Sequence, residues 1–279
     1  MTKEWPEERE NRLRHLWNVE GLSASAIARQ MGTTRSAILG KSRRLNLQFR
    51  GHRAVKLSPE HDAVKQGRTL FPGRVMPGAP GMLKPGDFQR KLGGLITKGH
   101  WKGFPVYSLT LEERRTCPRS CKVWASCYGN GMHYSSRYQP GPLFEEYLWR
   151  QLNGLQLCHP KGFVVRLHIL GDFYSTTYVD FWRGALKDFP ALHIFGYTAW
   201  PSGTPIGDAV AKLRDTRWRR FAVRTSGASE GLRANVVENA AQASMDGSIV
   251  CPAQTNKTQS CSTCALCWQT KKPIAFLRH

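Results

Sequence analysis

Seven of the eight cysteines fall in two segments more than a hundred residues apart. The first, TCPRSCKVWASCYG, carries Cys117, Cys121 and Cys127; the second, VCPAQTNKTQSCSTCALCW, carries Cys251, Cys261, Cys264 and Cys267. Thiolates spaced two to five residues apart can converge on one metal centre, because a short loop turns several sulfurs inward. Exposed free thiols oxidise, so tight clustering points to ligation. Zinc ribbons pair two C-x2-C knuckles, whereas the second segment runs C-x9-C-x2-C-x2-C. Cys117-Pro118 and Cys251-Pro252 show the Cys-Pro step found beside iron–sulfur ligands. The spacing favours a 4Fe-4S cluster, with zinc as the alternative. Seven thiols exceed one closed four-ligand site and fall one short of two. Either one cluster draws on both segments, or the first three hold an open iron and the last four close a second cluster. Cys158 stands alone in QLCHPKG and reads as a buried structural thiol.

The elements that must position these thiols are legible between residues 101 and 279. Residues 163–170 (FVVRLHIL) form a β-branched apolar run, and residues 177–189 follow with helical periodicity. Residues 192–198 read as a second strand with a helix over 206–214, and 218–224 as a third strand with a helix over 234–243. Ser248-Ile249-Val250 leads into Cys251 as a fourth strand. Strand–helix alternation of this kind predicts a parallel sheet, as an open sheet or partial barrel. Ligand chemistry in such folds gathers at the carboxyl ends of strands, where Gly171-Asp172, Tyr197-Thr198, Thr225-Ser226 and Cys251 fall. The first cysteine segment is expected to precede the sheet and the second to follow its last strand, meeting near the strand ends.

Composition restricts the partners. Lys and Arg number 41 against 20 Asp and Glu, a net charge of +21. A surplus of that size points to a polyanion, first of all nucleic acid, because neutralised phosphates release counterions. No apolar run reaches the ~18–20 residues of a membrane span. The charged start MTKEWPEERE has no apolar h-region, so a cytoplasmic protein away from the membrane is expected. A reducing cytoplasm favours metal ligation over disulfides.

Residues 1–50 are poor in Gly and Pro and amphipathic. Residues 6–19 read as a helix with Leu13, Leu16 and Trp17 on one face, ended by Gly21. Ser23 caps a second helix that ends at Gly32; Thr33 or Thr34 caps a third, with Ala37, Ile38 and Leu45 facing the core. Three short helices with a Gly-containing turn predict a helix-turn-helix reading double-stranded DNA. Its third helix would present Arg35 and Ser36 to base edges, and Lys41, Arg43 and Arg44 to phosphates. The pattern EGLSASAIARQMGTTRSAILGKSRRLNL resembles the N-terminal segment of the GcrA cell-cycle regulator family over about the first 50 residues. That resemblance implies DNA binding and control of transcription together with RNA polymerase sigma factor.

Residues 51–100, with FPGRVMPGAPGMLKPGD, read as a basic Gly/Pro-rich linker, and 101–279 as a cysteine-rich α/β metal-binding domain. Over 101–279 the ordered blocks TCP-x-x-x-C…CYG, RLHILGDFYSTTYVDFW, FGYT and CP…C-x-x-C-x-x-C resemble the phage-associated gene product 88 domain family. That family supplies no reaction. The three-cysteine loop also resembles radical S-adenosylmethionine enzymes, with C-x3-C-x5-C in place of their C-x3-C-x2-C. Arg166, His168 and Leu170 would share one strand face by period two, with Asp172 at its end. Tyr128, Tyr134, Tyr138, Trp149 and Trp200 are candidates for stacking on bases. No Ser–His–Asp order, Walker loop or GxGxxG fingerprint is visible.

The expected fold class is therefore α/β: a three-helix helix-turn-helix followed by a β/α iron–sulfur domain. The expected function is a phage-type transcriptional regulator whose cluster is structural or redox-sensing. The alternatives are a radical-type iron–sulfur enzyme acting on nucleic acid and a zinc-stabilised DNA-binding module.

Overall fold

A computed structural model describes residues 5–20, 22–45, 47, 55–89 and 91–278. It divides into two units, Met1–His52 and Arg53–His279.

Local capping sets the first unit. Helix α1 (Glu7–Asn18) opens with Glu7, Glu8 and Glu10, whose charges suit the positive end of a helix. Helix α2 (Ala24–Gln30) is capped by Ser23, whose Oγ accepts from Ala26 N at 3.2 Å. Helix α3 (Arg35–Arg44) is capped in the same way by Thr34, which accepts from Ala37 N at 3.1 Å. Gly32 joins them at φ +57°, a conformation glycine adopts without strain. The core is Leu13, Leu16, Trp17, Ile27, Ala28 and Ile38, with Leu45 packed against it. Ala37, expected in that core, is only half-buried. The proposed stop at Gly21 lies outside the described residues, as does the expected boundary at residue 50.

In the second unit, α4 (Asp62–Gln66) precedes β1 (Val75–Met76), β2 (Lys84–Pro85), β3 (Val106–Ser108) and β4 (Arg137–Tyr138). Then come α5 (Pro142–Cys158), β5 (Phe163–Leu167), α6 (Thr176–Asp188), β6 (Leu192–Thr198), α7 (Pro205–Arg217) and β7 (Phe221–Ser226). The chain closes with β8 (Arg233–Val237), α8 (Ala240–Met245), β9 (Ile249–Val250), α9 (Cys261–Cys264), α10 (Leu266–Gln269) and β10 (Ile274–Leu277). An open eight-stranded sheet has the order β2-β3-β5-β6-β7-β8-β10-β9, parallel throughout except for β2. Strands β1 and β4 form a small parallel pair.

From β3 to β8 each new sheet strand is laid beside the previous one. Right-handed crossovers in one direction then put the helices on one face. That face buries Phe163, Val165, Leu167, Ile194, Phe221 and Val223 under Phe144, Leu148, Tyr178, Trp182 and Leu213 of α5–α7. The alternate residues Val106, Val164, Phe195 and Ala222 face the other way, onto Leu92, Ile96, Trp101, Ala265 and Trp268. Period two thus divides the strands between a helix layer and an irregular layer that contains the second cysteine segment.

Four expectations are corrected. Strand β5 stops at Leu167, so His168 packs against Phe173 and Tyr178 on the helix side while Leu170 joins the opposite layer. The helix expected over 234–243 is strand β8 over its first four residues, as the β-branched pair Val236-Val237 favours. Its helix begins only where Asn239 caps Gln242 N at 2.9 Å. The segment read as a linker contributes β2 to the sheet and Met82, Leu83, Leu92 and Ile96 to the core. The first cysteine segment follows β3 rather than preceding the sheet, and the second lies before β10, which inserts between β8 and β9.

Candidate functional site

On α3, Arg35, Ser36, Arg43 and Arg44 are exposed. Lys41 is not free to the same degree. Its side chain is 13% exposed, pairs with Glu10 of α1 and lies 5.9 Å from the centre of the Trp5 ring. Helical periodicity brings Lys41 round to the α1 side, so its charge is satisfied inside the unit.

The first cysteine segment is held by buried charge. Directly before it, LEERRT turns through Arg114 at φ +64°. Glu113 receives Arg137 Nε at 2.7 Å and Nη2 at 3.1 Å, with neither side chain exposed. The same guanidinium donates to the carbonyls of Met132, Ser135 and Gly129 at 3.1, 2.7 and 3.0 Å. Glu112 takes Arg68 Nε at 2.6 Å. Arg114 donates to Trp124 O, Arg68 O and Asn130 Oδ1. Asn130 reaches back to Val55 O and Ala125 O at 2.6 and 3.0 Å. Such charges persist in a dry interior because Glu113 and Arg137 pair with each other, Glu112 pairs with Arg68, and Arg114 is hydrogen-bonded to neutral oxygens.

Gly171 steers the end of β5 onto this loop. At φ +80° it needs no strain, and a Cβ there would stand 2.6 Å from both Leu111 Cβ and Thr116 Oγ1. Asp172 N then donates to Thr116 Oγ1 at 3.0 Å. The Asp172 carboxylate accepts from Phe173 N at 2.8 Å and Ala199 N at 2.6 Å, tying the end of β5 to the end of β6. Burial pushes this carboxyl up to about 7, against those hydrogen bonds. Its charge bears on Cys117 and Cys121, raised first by burial, and burial carries Cys127 to about 11. Tyr128 closes the loop by donating to Ile169 O.

The second segment lies against the helix-free face of the sheet. Cys251 N bonds Ala275 O at 2.8 Å, at the end of β9. Ser260 caps α9 with a reciprocal box through Thr263, and Cys261 N and Ser262 N bond Lys91 O and Leu92 O. Ala265, at φ +61°, breaks α9 from α10, and Trp268 stacks on Trp101 at 5.1 Å. Fully buried Arg224 donates to Cys267 O, Lys272 O and Thr270 O, fixing the chain between the last cysteine and β10.

Cys251, Cys261, Cys264 and Cys267 line one cavity walled by Pro252, Ala253, Leu266, Trp268 and Ile274. Tyr197 OH donates to Cys267 Sγ at 3.0 Å. Burial pushes Cys261 up to about 12 and Cys267 to about 11, and neighbouring cysteines add to both. Thiols so placed resist ionising unless a cation sits among them, which is the setting a metal supplies. Among the described residues, however, no three His, Cys, Asp or Glu side chains are drawn close enough to hold a metal ion. The four cysteines share a cavity without forming a finished coordination sphere. All eight cysteines are free thiols, and Cys158 is exposed rather than buried as expected.

Arg166 stands between the two segments. Its guanidinium lies 4.6 Å from the Tyr197 ring and 5.5 Å from that of Phe195. Its charge acts on Asp172 on one side and on Cys261 on the other. Arg166 thus links two separate cysteine segments, while Arg114 acts on Cys121 and Cys127 and Arg224 on Cys267.

Residues 3–80 match the GcrA cell cycle regulator family. The N-terminal part of the chain is GcrA-like. The match points to a DNA-binding regulator of transcription, and it runs past the first unit through α4 and β1, further than the 50 residues the motif suggested. No curated protein and no solved structure matches the chain. Among the described residues no helix is long and apolar enough to cross a membrane.

Sequence reasoning singled out the thiols, Arg166, Asp172 and Tyr197, but missed Glu112, Glu113, Asn130 and Arg137. The one available sign was the charged run EERR just before the first cysteine segment. Of the five aromatics considered for stacking, Tyr128 and Tyr134 are exposed, while Tyr138 and Trp149 pack in the helix-side core and Trp200 donates to Phe173 O.

Proposed function

We propose that the chain is a DNA-binding transcriptional regulator whose second unit carries a thiolate-held metal centre. The observation that carries the reading is α3, which exposes Arg35, Ser36, Arg43 and Arg44 from a capped helix whose other face is buried. Helices α2 and α3 with the Gly32 turn act as a helix-turn-helix. Arg35 and Ser36, in the first turn of α3, read base edges, and Arg43 and Arg44, in its last turn, hold phosphates. RNA polymerase sigma factor is the protein partner implied by the GcrA resemblance. On unselected duplexes, Arg35→Ala is expected to relax sequence preference, whereas Arg44→Ala weakens binding to all sequences alike. Equal effects of the two would sink this division of roles.

Cys251, Cys261, Cys264 and Cys267 would hold a 4Fe-4S cluster, or zinc in its place. Bound there, the cluster would supply a crosslink between β9 and β10 and a redox-responsive charge. The protein's own part is to exclude water with Trp268 and Leu266 and to hold the Cys267 sulfur through Tyr197. Anaerobically purified protein should contain iron and acid-labile sulfide, both lost in Cys261→Ser. A colourless, zinc-replete preparation would overturn the iron assignment.

One observation favours an enzymatic second reading. Cys117, Cys121 and Cys127 follow β3 and pack on the carboxyl end of β5, where parallel β/α folds place their chemistry. The resemblance of residues 101–279 to the phage-associated gene product 88 family belongs with this reading. Cleavage of S-adenosylmethionine by the reduced protein would favour it, and no cleavage alongside site-specific DNA binding would favour the regulator.

A further inference from the structure

Most of the charge surplus lies outside the unit that holds the proposed DNA-reading helix, in keeping with the greater length of the second unit. Of the 41 Lys and Arg, 31 follow residue 52, against 15 of the 20 Asp and Glu, a surplus of +16 in the second unit and +5 in the first. Part of it lies in a regular pattern. The parallel strands β3, β5, β6 and β7 are each entered through a loop or helix end carrying an exposed cation. Lys98 and Lys102 precede β3, Lys161 precedes β5, Lys187 precedes β6, and Arg217 and Arg219 precede β7. Among the described residues none of the six forms an ion pair. The exposed carboxylates nearby are Asp87, which lies against Gly94 beside the start of β3, Asp188 and Asp215, and Asp215 is taken by Arg214 at 2.8 Å.

Packing holds the loops side by side. Trp101, between Lys98 and Lys102, is buried and donates from Nε1 to Arg219 O at 3.1 Å. Its ring lies 5.3 Å from that of His193 at the start of β6, and Phe104 approaches the same ring at 5.0 Å. Val164 N bonds Pro105 O, Phe163 N bonds Ala191 O and Ile194 N bonds Arg220 O, so the four strand entries form one continuous edge. Four neighbouring strands span roughly 15 Å. A stretch of duplex that long carries on the order of nine phosphates. The second cysteine segment abuts this edge through Trp268 on Trp101, but none of the six cations lines the cysteine cavity.

We infer that the amino-end edge of the sheet is a second DNA-backbone contact surface, independent of sequence and built into the metal-binding unit itself. The inference rests on the DNA-binding reading of α3. It extends that reading by assigning sequence choice to the first unit and much of the phosphate affinity to the second.

The test uses the full chain and a 30-base-pair duplex of random sequence, titrated across salt concentrations. Lys98→Gln, Lys102→Gln, Arg217→Gln and Arg219→Gln together should lower the slope of log affinity against log salt by roughly 3–4. Affinity at low salt should fall at least tenfold. Lys161→Gln with Lys187→Gln should lower the slope by roughly half as much. A graded response of this kind is not what misfolding produces. Unchanged slopes in both variants overturn the inference. If they are unchanged while Arg43→Gln with Arg44→Gln weakens binding, the α3 reading stands alone. If none of the three variants alters DNA binding, both readings fail. Loss of binding to phosphatidylserine–phosphatidylcholine vesicles with DNA affinity intact would assign the edge to a membrane surface and also overturn the inference.

Discussion

The two cysteine segments use the same side chain in opposite surroundings. Cys117, Cys121 and Cys127 sit on a loop held by paired charges, with Glu113 and Arg137 both fully buried. Cys261, Cys264 and Cys267 sit on two short helical turns laid against aromatic rings, with Arg224 the nearest fully buried cation. A charge clamp depends on both partners, because either one alone is an uncompensated ion in a dry interior. Aromatic packing degrades more gradually, since its contacts are many and individually small. The first segment should therefore fail abruptly when one residue changes, and the second by degrees.

The most damaging way to probe that contrast is Arg137→Met. It should destabilise the second unit by about 3–5 kcal/mol, measured by chemical denaturation, and make Cys127 more reactive to alkylation than Cys267. Adding Glu113→Leu should return part of the loss. Additive losses in the double variant would mean the two residues do not act as a pair.

Arg224→Met comes next. It strips a guanidinium from several buried carbonyls and should cost roughly 2–3 kcal/mol, with Cys267 now the more reactive thiol. If Cys127 responds equally, the two segments are not held separately.

Acid gives a smaller and slower loss that both segments share. Burial lowers His168 to about 3 and His193 to about 4, so the folded protein keeps both rings neutral. The unfolded chain protonates them near pH ~6.5. Their contribution to stability is therefore present above that value and lost as pH falls from there toward 3 to 4. His168→Phe should flatten the fall in denaturation midpoint between pH 6.5 and 4, and an unchanged slope would rule His168 out as its source.

The smallest effect separates the two units. Thr34→Ala removes the α3 cap and should cost about 1 kcal/mol in the first unit while leaving the thiols of the second unreactive.

How much could be read in advance varied with how local the cause was. Ser23 and Thr34 cap their helices as expected, because a cap needs only a hydroxyl and the next turn. Strand β6 spans the expected residues because a seven-residue apolar run bounded by turns has little other use. Strand β10 was not anticipated, since its place between β8 and β9 is set by pairing with chain far away in sequence. The linker reading of 51–100 failed for the same reason. Gly and Pro mark irregular backbone, and irregular backbone can still carry Leu92 and Ile96 into a core.

The sequence by itself determined the three helices of the first unit, the alternation of strands and helices in the second, and the grouping of thiols along the chain. Each rests on periodicity or on spacing within a few residues. Only the tertiary structure decided that Lys41 turns inward to Glu10, that Glu113 meets Arg137 in a buried clamp, and that Arg166 stands between the two cysteine segments. Whether a charge is solvated or buried depends on which distant side chain meets it, and that pairing is made by the folded chain as a whole.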